Sequence, residues 1–274
     1  MALDTNNRNL TLSWYHQFVA SVLKVGAIPK HVAFIMDGNR RYAKKNLIDR
    51  IDGHSHGFDK LGEVLHWCQA VGVSQVTVYA FSAENFKRSK EEVNDLMELA
   101  REKFTKILEQ KEKLHEYGVR ICFVGELHRL PKDLQEVVYD LNKCTANNNK
   151  CRLNVCVAYT SRIEMRNAVT SIYQSVHEGT IQVDDIDEEL FDQALDVPRV
   201  DLLIRTSGEI RLSDFLLWQS SFSTLSFVKG LWPEFSIWSF FWSILEYQWS
   251  YQEAENTREL DVQNVNGYHS HDFT

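Results

Sequence analysis

Short apolar runs alternate with amphipathic stretches along most of this chain. Over 31–36, Val32, Ala33, Phe34, Ile35 and Met36 follow one another almost without a polar break, the pattern of a short strand buried on both faces. Similar runs predict strands over 75–81, 119–124, 153–158, 201–204 and near 225–228. Between them the apolar residues recur every three or four positions, as on one face of a helix. This spacing predicts helices over 10–25, 57–71, 89–117, 131–147 and 161–177, a short helix after the acidic segment 184–189, and a helical run over 214–219. Gly26 and Pro29 end the first, whose apolar residues include Trp14, Phe18, Val22 and Val25. Ser89 with Glu92, and Ser161 with Glu164, have the spacing of capping boxes. The stripe Val93, Leu96, Met97, Ala100, Phe104, Ile107 and Leu108 either packs into the core or walls an elongated apolar pocket. Strand–helix alternation predicts a single α/β domain with a mostly parallel central sheet flanked by helices.

Composition narrows the class. The chain has 274 residues, 44% hydrophobic and 25% charged, which suits one large globular domain. Residues 1–30 are expected to form an N-terminal amphipathic helix region, 31–250 the main domain, and 251–274 a polar, disordered tail. Five of the seven tryptophans lie over 218–249; they are read either as ordinary core or as a C-terminal dimer interface. The first helix is expected either to lie on a membrane surface or to pack on its own domain. Five cysteines without a C-x-x-C pair suggest reduced thiols in a cytosol-facing protein. No signal peptide, spanning segment or lipidation signal is expected.

Net charge is −8, so a local cluster of cations stands out. The first strand ends in Asp37-Gly38-Asn39, followed by Arg40, Arg41, Lys44, Lys45 and Arg50. In open α/β sheets ligands bind beyond the carboxyl ends of strands, and Gly38 lets backbone N–H groups approach an anion closely. The cations suit a multiply charged, phosphate-like ligand, and Asp37 among them suits Mg²⁺ bridging carboxylate and phosphate. Two more strand ends carry polar clusters, Ser82-Asn85-Arg88 and Arg205-Arg211-Ser213. Converging arginines from all three would serve two diphosphates or one nucleoside triphosphate. A local basic cluster on an acidic chain argues against a long nucleic-acid track. Neither G-x-x-x-x-G-K-[ST] nor G-x-G-x-x-G is present, and there is no zinc spacing. His54 is read as a hydrogen-bonding partner of the anion.

The segments HVAFIMDGNRRYAKK, GH, YAFSAENFKR, IRTSGEIRLSDFLLWQ and LWPEF resemble, in order, the motif series of the cis-prenyltransferases, the undecaprenyl and dehydrodolichyl diphosphate synthase family. Arg40-Arg41-Tyr42 and Tyr159-Thr160-Ser161-Arg162 resemble its eukaryotic catalytic subunits. The resemblance implies a cis-prenyltransferase fold with an apolar tunnel, and repeated cis addition of isopentenyl diphosphate to farnesyl diphosphate. It implies that Asp37 holds Mg²⁺ and the allylic diphosphate, with Gly38, Asn39, Arg40, Arg41, Arg50 and His54 completing that site. It assigns Arg205, Arg211 and Ser213 to isopentenyl diphosphate, Arg88 to both sites, and Ser82 and Asn85 to substrate binding. Asp37, Asn39, Arg41 and Arg88 are the implied catalytic set.

Two departures from the bacterial pattern matter. Thr224 stands where homodimeric bacterial members carry a metal-linked glutamate, and no Arg-x-Gly motif follows Tyr247. Both departures resemble the eukaryotic subunits, which work with a Nogo-B-receptor-like partner. That implies a heteromer, low activity of the chain alone, and peripheral attachment to the cytosolic face of the endoplasmic reticulum membrane. Two rival readings are a non-catalytic scaffold subunit and a nucleotide-binding hydrolase.

Overall fold

The computed structural model describes residues 12–251. The tail expected over 251–274 lies outside them except for Tyr251, which is helical, and so does the start of the first helix. Helix α1 (Trp14–Leu23) leads to strand β1 (His31–Ile35), then helices α2 (Asn39–Asn46) and α3 (Arg50–Val71). Strand β2 (Gln75–Ser82) and a 3₁₀ turn (Ala83–Lys87) precede α4 (Lys90–Glu109) and α5 (Lys111–Tyr117). There follow β3 (Val119–Val124), α6 (Lys132–Thr145), β4 (Cys151–Tyr159), α7 (Ser161–His177), α8 (Glu188–Ala194), β5 (Leu202–Arg205) and β6 (Thr224–Phe227). The last helix, α9, covers 237–251.

The six strands form one sheet in the order β3-β4-β2-β1-β5-β6, and every pairing is parallel. Alternate side chains separate its two faces. Val32 and Phe34 join the larger core with residues of α1, α3, α4, α6 and α9. Ala33 and Ile35 join a smaller core with Val197, Phe215 and Leu216 on the other face. From β1 the chain builds outward to β2 on one side and later returns to β5 on the other. That reversal opens a crevice above the carboxyl ends of β1 and β5.

Several helices depart from the sequence pattern. The long helix expected over 89–117 breaks at Gln110 into α4 and α5. Helix α2 was not expected, because Ala43 is its single buried residue and eight mostly polar positions carry no apolar stripe. Helix α3 begins at Arg50 rather than near Gly57. The helical run expected over 214–219 is instead a series of bends and turns, since Asp214 and Leu216 have left-handed backbone. The N-cap of α7 is Thr160, whose hydroxyl accepts from the Ile163 N–H at 3.3 Å. Glu164 is buried against Tyr159 and Gln219, so it forms no capping box with Ser161.

The aromatic C-terminal region divides. Trp232 is core, 1% exposed, whereas Trp238, Trp242 and Trp249 are 53%, 54% and 68% exposed. Helix α1 packs on its own domain through Ala20 and Leu23 and leaves Trp14, Phe18, Val22 and Val25 open. All five cysteines are free.

Candidate active site

The parallel register sets Ile35 of β1 beside Arg205 of β5. Asp37, two residues on, therefore meets the arginine. Arg205 Nη2 donates to Asp37 Oδ2 at 2.9 Å, and Arg41 Nη2 lies 3.4 Å from the same oxygen. Thr206 locks the turn: its hydroxyl donates to the Asp37 carbonyl at 2.7 Å and accepts from the Asp37 N–H at 3.1 Å. Burial pushes the Asp37 carboxyl up, but the Arg205 hydrogen bond and the charges of Arg205 and Arg41 outweigh it and hold the group below its ordinary value. Asp37 is therefore ionised at neutral pH.

Arg205 also binds the loop that follows it. Its Nη1 donates to Ser213 Oγ at 2.7 Å and to the Arg211 carbonyl. Arg211 and Arg41 both pair with Glu209, and Arg41 Nη1 donates to the Ser207 carbonyl at 3.2 Å. Asp37, Arg41, Arg205, Arg211 and Ser213 are thus one connected group.

A second group faces it from the start of α4. Ser89 caps this helix by accepting from the Glu92 N–H at 3.2 Å. The Glu92 carboxylate does not complete a capping box. It collects Arg88 at 2.9 Å, Arg40 at 3.7 Å and Arg50 at 3.7 Å, with its side chain only 11% exposed. Arg88 feels the charge of Asp37 as well, so both groups share one field.

Asn39 and His54 join the charged cleft to the interior. Asn39 Nδ2 lies 3.4 Å from His54 Nδ1. Burial first, and then Arg88 and Arg40, push the His54 imidazole down to about 4, so it is neutral at neutral pH. With Nδ1 accepting, Nε2 carries the proton; it is buried, and neither it nor Asn39 Oδ1 has a partner among the described residues. Both residues also line an apolar cavity between the sheet and helices α3, α4 and α6. Phe58, Leu61, Met97, Phe104, Phe123 and Leu134 are among its walls.

Gly38 has φ +115°, and a Cβ there would meet Leu231 at 3.0 to 3.1 Å. Trp232 backs the same turn: its N–H donates to the Asp37 carbonyl at 3.0 Å and its indole to the Gly57 carbonyl at 2.7 Å. Ser82 and Asn85 close their own 3₁₀ turn. Ser82 Oγ accepts from the Glu84 N–H at 3.2 Å, and Asn85 Oδ1 accepts from the Ser82 N–H at 3.1 Å.

The structure therefore gathers the expected arginines in two groups, Arg41, Arg205 and Arg211 around Asp37 and Glu209, and Arg40, Arg50 and Arg88 around Glu92. It adds Glu92, Glu209, Thr206 and Trp232, which the sequence reading left without a role in the site. The four-residue spacing of Arg88 and Glu92 carried a signal for their pairing. Among the described residues no group of three or more His, Cys, Asp or Glu could hold a metal ion. The Asp37 carboxylate offers one hard oxygen donor among cations. Such a donor fits Mg²⁺, which would take its remaining ligands from diphosphate and water.

The prenyltransferase family model described as undecaprenyl diphosphate synthase matches residues 35–255. The human "dehydrodolichyl diphosphate synthase complex subunit DHDDS" is 53% identical over 252 residues, covering 91% of this chain and 76% of its own. The "tritrans,polycis-undecaprenyl-diphosphate synthase (geranylgeranyl-diphosphate specific)" of Pyrococcus abyssi is 45% identical over 237 residues, 85% of this chain and 89% of its own. The crystal structure of lavandulyl diphosphate synthase from Lavandula x intermedia, in complex with dimethylallyl diphosphate, matches with TM-score 0.75 and 32% identity. That match covers 81% of this chain and 95% of the other.

Proposed function

The chain belongs to the cis-prenyltransferase family of undecaprenyl diphosphate synthase-like enzymes, and from that premise we propose that it is the catalytic subunit of a dehydrodolichyl diphosphate synthase. It extends farnesyl diphosphate by successive cis additions of isopentenyl diphosphate, and its long polyprenyl diphosphate serves dolichol synthesis and protein glycosylation. One observation carries the reading: two arginine groups, around Asp37 and around Glu92, are linked by the charge of Asp37 on Arg88, and Asn39 and His54 beside them line an apolar cavity. Two diphosphates and one growing hydrocarbon require that combination.

Asp37, Gly38, Asn39, Arg40, Arg41, Arg50 and His54 hold the allylic diphosphate in this proposal. Arg205, Arg211 and Ser213 hold isopentenyl diphosphate, and Arg88 serves both. Mg²⁺ bound at Asp37 would add positive charge where the departing diphosphate gathers negative charge. The arginines stabilise the same charge as the allylic C–O bond breaks and diphosphate leaves with the electron pair. The cation-like allylic carbon meets the alkene of the anchored second substrate, and a carbon–carbon bond forms. Loss of a proton restores a double bond; the departed diphosphate takes up the proton, and Asn39 assists by hydrogen bonding. The neutral His54 offers its Nε2–H to a phosphate oxygen rather than another positive charge.

We assign the exposed Trp238, Trp242 and Trp249 to contact with a Nogo-B-receptor-like subunit. No described helix is long and apolar enough to cross a membrane. The open stripe of α1 and a membrane-anchored partner are the features that favour peripheral attachment at the cytosolic face of the endoplasmic reticulum.

Incorporation of labelled isopentenyl diphosphate into lipid, with farnesyl diphosphate and Mg²⁺, tests the proposal. The chain is assayed alone and with the second subunit. Long polyprenyl product that needs both the subunit and Asp37, lost by at least about a thousandfold in Asp37→Ala, is expected. Folded protein that yields no product in either mixture would favour the scaffold reading.

A further inference from the structure

Four side-chain-bearing residues between β5 and β6 have positive φ: Ser207 (82°) early in the loop and, close together further on, Ser213 (53°), Asp214 (60°) and Leu216 (47°). Such backbone persists only when its surroundings hold it. Helix α7 does so for the later three. Its first N–H groups have no acceptor inside the helix, and the loop supplies acceptors from more than fifty residues away. The Ser161 N–H donates to the Asp214 carbonyl at 2.7 Å. The Arg162 N–H donates to Asp214 Oδ1 at 3.2 Å, and Arg162 Nε to Oδ2 at 2.9 Å. The Leu217 N–H returns a bond to Ser161 Oγ at 3.0 Å. The Asp214 side chain is 14% exposed beneath an Arg162 side chain that is 76% exposed. A carboxylate at the start of a helix also gains from the helix dipole.

The residue before Asp214 reaches the active site. Ser213 Oγ accepts from Arg205 Nη1, the same nitrogen donates to the Arg211 carbonyl, and Arg205 Nη2 holds Asp37. Tyr79 steadies the loop from the sheet, stacked on Phe215 at 4.5 Å between ring centroids, with its hydroxyl 3.4 Å from the Ser213 carbonyl. The path of the backbone through Asp214 therefore decides where Ser213 and Arg211 stand. The bonds of the Asp214 carboxylate go to α7, and a carboxylate would repel a diphosphate. It has no place in the ligand set itself.

We infer that Asp214 is a positioning residue: by capping α7 from a distance, it holds Arg205, Arg211 and Ser213 ready for the diphosphate of the non-allylic substrate. This rests on the functional reading above and adds a residue to it.

The test is steady-state kinetics of the full chain, with the subunit that it needs for turnover, varying each substrate in turn. Asp214→Ala removes the acceptor and disfavours the left-handed backbone. It is expected to raise KM for isopentenyl diphosphate about tenfold or more. KM for the allylic substrate should stay within about twofold, and kcat should fall less than the KM effect. Asp214→Asn keeps an acceptor oxygen and tolerates left-handed backbone, so it should return to within about threefold of the wild type. Asp214→Gly relieves the backbone but lacks the carboxylate, and it should raise KM for isopentenyl diphosphate about fivefold. That variant decides the matter where Asp214→Ala does not fold.

An unchanged KM for isopentenyl diphosphate in folded Asp214→Ala or Asp214→Gly would overturn the inference. So would an equal rise for both substrates, or a loss in Asp214→Asn as deep as in Asp214→Ala. Wild-type protein that transfers no prenyl group would bring down the functional reading and this inference together. A wild type that turns over beside an indifferent Asp214→Gly brings down this inference alone.

Discussion

His31 opens β1 at the end of the sheet away from the cleft. Its Nδ1 lies 2.8 Å from the Arg199 carbonyl, which can only accept, so Nδ1 carries the proton. Nε2 then accepts from the Thr77 hydroxyl at 2.7 Å, while Thr77 accepts from Asn154 Nδ2 at 2.8 Å. Burial pushes the imidazole down to about 4, with nearby Arg152 acting in the same direction, against a carbonyl bond and Asp201 that raise it. In the unfolded chain the ring titrates near 6.5. As pH falls between these values the unfolded state takes up the proton first, so stability is lost on acidification. The full effect from this residue is up to about 3 kcal/mol. Urea unfolding between about pH 7 and pH 5 should show the decline, and His31→Gln should make it shallower, with His54 contributing to what remains. An equally steep decline in the variant would assign the acid sensitivity to other groups.

At the scale of elements, α2 and α3 stand against each other because glycines lie between them. A Cβ on Gly53 would come within 2.6 Å of the Asn39 carbonyl and 2.9 Å of the Ala43 methyl. One on Gly57 would meet Asn39 Oδ1 at 2.4 Å. The carbonyl belongs to backbone and cannot swing aside, so Gly53→Ala must push α2 away. A loss of about 1–3 kcal/mol is expected from this overpacking. Turnover should fall at least about tenfold, since Asn39 and Arg41 ride on α2. Thermal unfolding and prenyl transfer measure the two effects. Gly230, where an added methyl meets nothing within 4 Å, provides a control.

For the whole molecule, the two faces of the sheet have separate tasks. The larger core carries the apolar cavity, and the smaller supports the loop that carries Arg211 and Ser213. Strand β6 is an edge of the sheet, and Leu225 on it is 42% exposed. On α9, Trp242 and Trp249 are exposed with ring centroids 5.4 Å apart, an aromatic pair that suits the proposed subunit contact. Trp242→Ala should weaken assembly about tenfold or more, read by sedimentation with the second subunit. Its melting temperature should change little, since the ring is 54% exposed. Unaltered assembly would move the interface elsewhere.

Local pattern determined much of this protein. Apolar runs too short for helices placed all six strands to within a few residues, and their alternation with helices required a parallel sheet. Asp37 and the arginines were legible as chemistry because a basic cluster stood out on an acidic chain. The helix α2 was not, since its stability comes from packing on Gly53 and not from a stripe of its own. Glu92 read as a capping residue, because its partners Arg40 and Arg50 stand on other elements. The union of Asp37 with Arg205, which lies 168 residues away, follows from the neighbouring of β1 and β5 and from their register. Tertiary structure alone decided these meetings. A side chain's local sequence sets its conformation and its burial, but strand order and register set which distant charges share a low-dielectric cleft.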